Sequence, residues 1–156
     1  MHSYDYAADS VPAEKTILLV EDNADVRLLI TRILSPLGVI TYHAKNGLEA
    51  IQFAADLTPD MILMDIRMPG LDGYSAVRRI RFDGYSGKIV ALTAEEESEY
   101  REKCLEAGFD EFFSKPLSRA RLTDYIRENL GITEEFLRML RSPPSPAQFE
   151  VPYAPV

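Results

Sequence analysis

A short apolar run that ends on one carboxylate constrains the fold of this chain most. Met61, Ile62, Leu63 and Met64 lead directly into Asp65, and a Pro-Gly pair follows at positions 69 and 70. An unbroken apolar run of this length, closed by turn residues, is typical of a parallel strand buried on both faces. We therefore expect Asp65 to stand at the carboxyl end of such a strand.

The same design recurs three times, and helical patterns separate the copies. Apolar residues 17–20 lead into Glu21 and Asp22, residues 89–92 lead into Thr93, and residues 111–114 lead into Lys115. Strands that alternate with amphipathic helices predict an α/β fold, a doubly wound parallel sheet of five strands flanked by five helices. Because parallel strands end at one edge of such a sheet, these side chains should converge with Asp65.

The remaining boundaries follow from capping and turn residues. Residues 39–43 form a short, more polar strand that suits a sheet edge, and residues 109–114 form the last strand. The helix over 95–107 has a thin apolar face, which predicts a weakly anchored element. The expected helix caps are Asn23, Asn46, Asp72, Ser118 and Thr133.

These boundaries divide the chain into three parts. Residues 1–14 are predicted to be a mobile N-terminal tail and residues 15–131 the folded domain. Residues 132–156 are predicted to hold a short amphipathic helix and then a Pro-rich disordered tail, in which two PxxP spacings, 143–146 and 152–155, are a weaker alternative reading.

Composition excludes several classes of protein. A formal net charge of −8 opposes binding to nucleic acid or to an anionic membrane. No apolar run approaches a membrane span and no secretory signal is visible, so we expect a cytoplasmic protein. The single cysteine, Cys104, is interpreted as a packing residue, and His2 and His43 have no partner at metal-ligand spacing.

Three carboxylates that meet at one point repel one another unless a cation joins them. Oxygen ligands of this kind favour Mg²⁺, which commonly links protein carboxylates to a phosphoryl group. With Mg²⁺ and the Lys115 ammonium to offset the charge, Asp65 can act as a nucleophile toward phosphorus, and Thr93 can donate to a phosphoryl oxygen. The predicted product is an aspartyl phosphate.

Four separated motifs carry a family resemblance: LLVEDN at 18–23, MDIRMPGLDG at 64–73, ALTA at 91–94 and AGFDEFFSKP at 107–116. In this order and spacing they resemble the receiver domain of two-component response regulators, over about residues 15–131. The residues of these motifs are most similar to those of receivers attached to hybrid histidine kinases. The resemblance implies a flavodoxin-like sheet with strand order 2-1-3-4-5.

The resemblance also implies roles for individual residues. Asp65 falls on the phosphoacceptor, while Glu21, where Asp is more usual, and Asp22 fall on the acidic pair that holds Mg²⁺ together with the backbone carbonyl of Arg67. Thr93 and Lys115 fall on the hydroxyl and the lysine that contact the phosphoryl group. Phe112 falls on the switch aromatic, where Tyr is common, and the Lys115–Pro116 peptide bond is implied to be cis.

Arg67 and Glu95 each stand two residues after a site residue. We hypothesise that they form an ion pair across the entrance and slow the attack of water on the phosphoaspartate. The alternative is that both are solvated surface charges of little consequence.

The function implied by the resemblance is a signalling switch that is not otherwise an enzyme. A histidine kinase or histidine phosphotransfer protein would phosphorylate Asp65, and the face made by the fourth helix, the fifth strand and the fifth helix would bind a downstream protein. The chain would be a monomer or a weak, phosphorylation-dependent dimer. A receiver-shaped binding module that acts without phosphorylation is the main alternative. A phosphohydrolase is disfavoured because Arg67 stands where its second acid belongs, and a flavin carrier because the acids would repel a cofactor phosphate.

Overall fold

The computed structural model describes residues 13–94 and 97–142. Its strands are β1 Thr16–Val20, β2 Ile40–Ala44, β3 Met61–Asp65, β4 Lys88–Thr93 and β5 Glu111–Ser114. Its α-helices are α1 Ala24–Leu34, α2 Gly47–Leu57, α3 Gly73–Phe82, α4 Glu97–Ala107, α5 Arg119–Leu130 and α6 Glu134–Arg141, with a 3₁₀ turn at Ser35–Leu37 after α1.

The strands form one parallel sheet in the order β2-β1-β3-β4-β5. This confirms the doubly wound plan, its strand order and the edge position of β2. After β2 is added on one side of β1, the later strands are added on the other side. The connections therefore diverge between β1 and β3, and a crevice opens at the carboxyl ends of these two strands.

Alternating strand residues build a core on each face of the sheet. On β1, Leu18 and Val20 face the layer of α2, α3 and α4, whereas Ile17 and Leu19 face the layer of α1, α5 and α6. All four side chains are fully buried. Successive side chains of a strand point to opposite faces of the sheet, and both faces are buried here. This explains why the sequences of β1 and β3 are continuous apolar runs.

The predicted capping residues are confirmed. In each case the side-chain oxygen accepts a hydrogen bond from a backbone N–H in the first turn of the helix that follows, which satisfies a donor that the helix itself leaves unpaired. The five caps are Asn23, Asn46, Asp72, Ser118 and Thr133.

The last strand begins two residues later than the sequence predicted. Gly108 adopts a positive φ of 119°, and the N–H of Phe109 donates to the carbonyl of Cys104 at 3.0 Å, so both residues close α4 instead of extending β5. Phe109 and Cys104 are buried in the same core cluster, which confirms the packing interpretation of Cys104.

The amphipathic helix predicted after position 131 is present as α6. Its Phe136 and Leu137 join the core cluster beneath α1 and α5. A Cβ added to Gly38 would lie 2.7 Å from Leu140 Cδ1, so α6 packs directly over the turn that leads into β2. This places α6 at the amino-terminal end of the strands, away from the carboxyl-end crevice.

The tails predicted at both ends fall largely outside the described residues, since positions 1–12 and 143–156 are not part of them. Within the described part of the chain, no helix has both the length and the apolar character required to cross a bilayer.

Candidate functional site

The acidic residues predicted to converge do so at the carboxyl ends of β1 and β3. Glu21, Asp22 and Asp65 each place a carboxylate oxygen within 4.8 Å of the other two. Glu21 and Asp65 are buried, whereas Asp22 is exposed at the rim. The cluster is therefore closed toward the core and open toward solvent.

Lys115 joins two of these carboxylates from the end of β5. Its Nζ lies 3.2 Å from Glu21 Oε2 and 3.3 Å from Asp65 Oδ2. Burial by itself would lower the pKa of the Lys115 ammonium, but the carboxylates of Asp65 and Glu21 outweigh that effect and raise it. The ammonium is therefore charged throughout the physiological range.

The pKa of the Glu21 carboxyl is raised although the Lys115 ammonium lies beside it. Burial, followed by repulsion from the Asp65 carboxylate, raises the pKa of Glu21 to about 7, although the N–H of Asn23 donates to Glu21 Oε1 at 3.2 Å. A single ammonium thus serves two buried carboxylates. A divalent cation among these oxygens would favour the ionised form of Glu21.

Backbone contacts hold Asp65 in place. The N–H of Arg67 donates to Asp65 Oδ1 at 3.1 Å, so each carboxylate oxygen of Asp65 has a donor. Gly73 opens α3 against this loop, since a Cβ added there would lie 2.7 Å from Ile66 Cα and 2.9 Å from the Asp65 carbonyl oxygen. Only glycine permits so close an approach of α3 to the strand end.

Thr93 and Phe112 lie on the neighbouring strands β4 and β5. Both are buried, and the N–H of Lys115 donates to the Thr93 carbonyl at 2.6 Å. The guanidinium carbon of Arg101, on α4, lies 5.8 Å from the centre of the Phe112 ring. The predicted switch aromatic is thus turned inward and faces a cation, a contact that no spacing in the sequence indicated.

Arg27 is a second residue that sequence reasoning missed. Its Nη1 donates to the carbonyl oxygens of Glu21 at 2.8 Å and Asp22 at 3.0 Å. Its position one turn into α1 was the only available signal, and that position by itself does not distinguish this contact from a solvated charge.

Of the two residues predicted to gate the entrance, only Arg67 lies among the described residues. Arg67 is exposed beside the crevice. Glu95 lies outside the described residues. The Lys115–Pro116 bond is cis, as the resemblance implied.

The set of donors fits Mg²⁺. Three carboxylates within reach of one another, one of them exposed to solvent, match a hard cation that takes few protein ligands and retains several waters. The neighbouring Lys115 ammonium supplies a further fixed positive charge on the side of Glu21 and Asp65. Together these groups form an acidic pocket that contains one fixed positive charge.

Comparison with known proteins identifies the family. The model of the response regulator receiver domain matches residues 17–127, most of the chain. The chain belongs to the response regulator receiver family. Receiver domains are signal-transducing modules of two-component phosphorelays that interact with histidine kinases or phosphotransfer proteins and bind Mg²⁺ at their acidic pocket.

Relatives of this receiver occur both as parts of kinases and as separate proteins. It is 33% identical over 138 residues to the sensor histidine kinase RcsC of Salmonella typhimurium, covering 88% of this chain and 14% of that one. It is 28% identical over 116 residues to sporulation initiation phosphotransferase F of Bacillus subtilis, covering 74% of this chain and 94% of that one. The receiver thus spans about a seventh of the kinase it matches.

A solved structure of a magnesium-bound receiver domain is also similar to this chain. The receiver domain of a sensor histidine kinase from Pseudomonas aeruginosa is 40% identical, with a TM-score of 0.70 over 76% of this chain and 99% of that one. That structure contains a magnesium ion coordinated in its active-site cleft.

Proposed function

We propose that this receiver accepts a phosphoryl group on Asp65 from the phosphohistidine of a kinase or phosphotransfer protein, in a reaction that requires Mg²⁺. One observation carries the proposal: three carboxylates lie within 4.8 Å of one another, and Lys115 contacts the two buried ones. With Mg²⁺ bound among the carboxylates, the cation and the Lys115 ammonium can offset the charge of a phosphoryl group next to a nucleophilic carboxylate.

Each residue has a defined part in the transfer. A carboxylate oxygen of Asp65 forms the new P–O bond as the P–N bond of phosphohistidine breaks, and the released imidazole takes its proton from solvent. Glu21 and Asp22, with Asp65 and the carbonyl of Arg67, would hold Mg²⁺, which when bound offsets charge on the phosphoryl oxygens. Lys115 and Thr93 donate to those oxygens in the product.

The donor would approach over α1. A largely apolar groove of about 540 Å³ runs between α1 and the segment after β5, and its residues include Leu29, Leu117 and the site residue Lys115. Leu29 is 57% exposed, which leaves apolar surface for a helical partner beside the phosphoacceptor.

The output would pass through α4, β5 and α5. A phosphoryl group on Asp65 that accepts a hydrogen bond from Thr93 shifts the conformational equilibrium of the Thr93 and Phe112 region, and Arg101 connects the Phe112 ring to α4. The thin buried face of α4, in which Cys104 and Ala107 are buried while Leu105 is 49% exposed, suits an element that moves.

Intact mass spectrometry tests the core of the proposal. The protein is incubated with acetyl phosphate, with Mg²⁺ or with a chelator, alongside the variants Asp65→Asn and Asp124→Asn. We expect one phosphoryl adduct that needs Mg²⁺, is absent from Asp65→Asn and persists in Asp124→Asn, an exposed carboxylate on α5. No adduct on the wild type would favour a module that binds partners without phosphorylation.

A second experiment separates donor docking from chemistry. Leu29→Glu should slow transfer from a phosphorylated histidine phosphotransfer domain by about tenfold or more, because it places a charge in the apolar groove. The same variant should react with acetyl phosphate at the wild-type rate. Equal losses with both donors would contradict the docking assignment.

A further inference from the structure

One guanidinium ties the two residues of the acidic pair to the helix that follows them. Arg27 Nη1 donates to the carbonyl oxygens of Glu21 at 2.8 Å and of Asp22 at 3.0 Å. The first main-chain bond of α1 runs from the N–H of Arg27 to the carbonyl of Asn23 at 3.0 Å, so the carbonyls of residues 21 and 22 precede the helical ladder. The side chain of Arg27 supplies donors that the helix itself does not.

This contact completes a set of bonds that define the backbone between β1 and α1. From the other side, the N–H of Glu21 donates to the carbonyl of Ala44 on β2 at 3.0 Å. The N–H of Asn23 donates to Glu21 Oε1 at 3.2 Å. Fixing two successive carbonyls orients both peptide planes and therefore the direction in which each carboxylate leaves the chain.

The charge of Arg27 acts against cation binding, whereas its geometry acts in favour of it. Arg27 is partly buried on α1. The pKa of His43, on β2, is lowered first by the burial of that imidazole and then by the positive charge of Arg27. A positive charge near a Mg²⁺ site repels the ion. If only the charge of Arg27 mattered, its replacement by a neutral residue would strengthen Mg²⁺ binding. If its positioning of the acidic pair matters more, the same replacement would weaken Mg²⁺ binding.

We infer that Arg27 is a positioning residue for the divalent-cation site, holding Glu21 and Asp22 in the orientation that makes their carboxylates converge with Asp65. This inference rests on the proposed Mg²⁺-dependent function. Groups that orient metal ligands without touching the metal typically change its affinity by about 10- to 100-fold when they are removed.

Isothermal titration with Mg²⁺ tests the inference on the full chain, using Arg27→Gln, Arg27→Lys and the control Arg78→Gln. Arg78 is exposed on α3, so its variant removes the same charge without removing the contact. We expect the dissociation constant for Mg²⁺ to rise about 10-fold or more in Arg27→Gln, at least several-fold in Arg27→Lys, and to stay within twofold in Arg78→Gln. An unchanged or tighter constant in Arg27→Gln would overturn the inference.

Arg27→Lys keeps the charge and most of the aliphatic stem, so it carries the test if Arg27→Gln does not fold, as judged by circular dichroism. Wild-type affinity in that variant would then refute positioning. A second readout follows phosphorylation of Asp65 by acetyl phosphate at increasing Mg²⁺. The half-saturating concentration should rise in the Arg27 variants, while the rate at saturating Mg²⁺ stays within about threefold of wild type.

The two levels of failure are distinguishable. If the wild type binds no Mg²⁺, the proposed function fails. If the wild type binds Mg²⁺ and the Arg27 variants bind it equally well, only the positioning role fails.

Discussion

Glu21 makes the folding stability of the metal-free receiver depend on pH in an unusual direction. Its pKa is raised from 4.5 to about 7, first by burial and then by the Asp65 carboxylate. The folded state therefore holds a proton between these pH values that the unfolded chain has already released. Because the folded state binds more protons, this residue lowers the free energy of unfolding as pH rises through that window, and its effect levels off above pH 7.

The size of the effect follows from the difference between the two pKa values. At 1.36 kcal/mol for each unit of pKa, ionised Glu21 costs the folded state about 3 kcal/mol above pH 7, compared with below pH 4.5. Glu21→Gln has no proton to lose, so its stability relative to wild type should improve by most of that amount between pH 5 and pH 8. A constant offset from the amide cancels in this comparison.

Urea unfolding followed by far-ultraviolet circular dichroism measures the difference in free energy of unfolding between Glu21→Gln and the wild type at pH 5, 6, 7 and 8. With a chelator present, the Glu21→Gln and wild-type curves should diverge through pH 7. With saturating Mg²⁺ the wild type should regain stability at pH 8, because the ion binds the deprotonated site, whereas Glu21→Gln should gain less. Below pH 7 the apparent affinity for Mg²⁺ should fall by about tenfold per pH unit.

Glu128→Gln is the control, since Glu128 is exposed on α5 and shares the same change of charge. Its stability should follow that of the wild type at every pH. If Glu21→Gln and the wild type give parallel pH profiles in the presence of chelator, the Glu21 carboxyl does not titrate in the folded state near pH 7 and the electrostatic reasoning is wrong.

Four other substitutions have defined outcomes. Phe136→Ala should reduce the free energy of unfolding by about 3–5 kcal/mol in urea denaturation, because it empties a buried site in the core beneath α1 and α5. Gly73→Ala should slow phosphorylation by acetyl phosphate at least tenfold, because its Cβ would collide with Ile66 Cα at 2.7 Å and displace the loop after Asp65. If the entrance is gated, Arg67→Ala and Glu95→Ala should each speed phosphoaspartate hydrolysis several-fold, measured as loss of the mass adduct.

Each of these outcomes has a control or a contradictory result. Met139→Ala, an exposed residue of α6, should leave stability within about 0.5 kcal/mol. An unchanged rate in Gly73→Ala would show that the loop tolerates a methyl group. Hydrolysis that is unaffected in both gate variants would leave Arg67 and Glu95 as solvated surface charges.

Local patterns were sufficient to predict most of the secondary structure. Caps such as Asn46 and Ser118 were predictable because a side-chain oxygen and the first-turn N–H groups lie within three residues of each other. The start of β5 was predicted too early because the positive φ of Gly108 and the hydrogen bond from the N–H of Phe109 to the carbonyl of Cys104 depend on how α4 ends. The residue types around position 109 do not encode that ending.

The sequence by itself determined which side chains reach the crevice. Asp65 and Thr93 end buried parallel strands and Lys115 directly follows one, and parallel strands end on the same edge of their sheet. That rule depends only on strand direction and apolar periodicity, both of which are visible in the chain.

Only the tertiary structure decided how those groups meet. Lys115 contacts Glu21 across 94 residues and Asp65 across 50. The pKa of Glu21 is raised by its burial and by the Asp65 carboxylate, which only the packed structure brings close to it. The donation from Arg27 to the carbonyls of the acidic pair, and the seating of α6 on Gly38, are decided in the same way. Such contacts depend on the separation and rotation of packed elements, which three-dimensional burial sets and one-dimensional spacing does not.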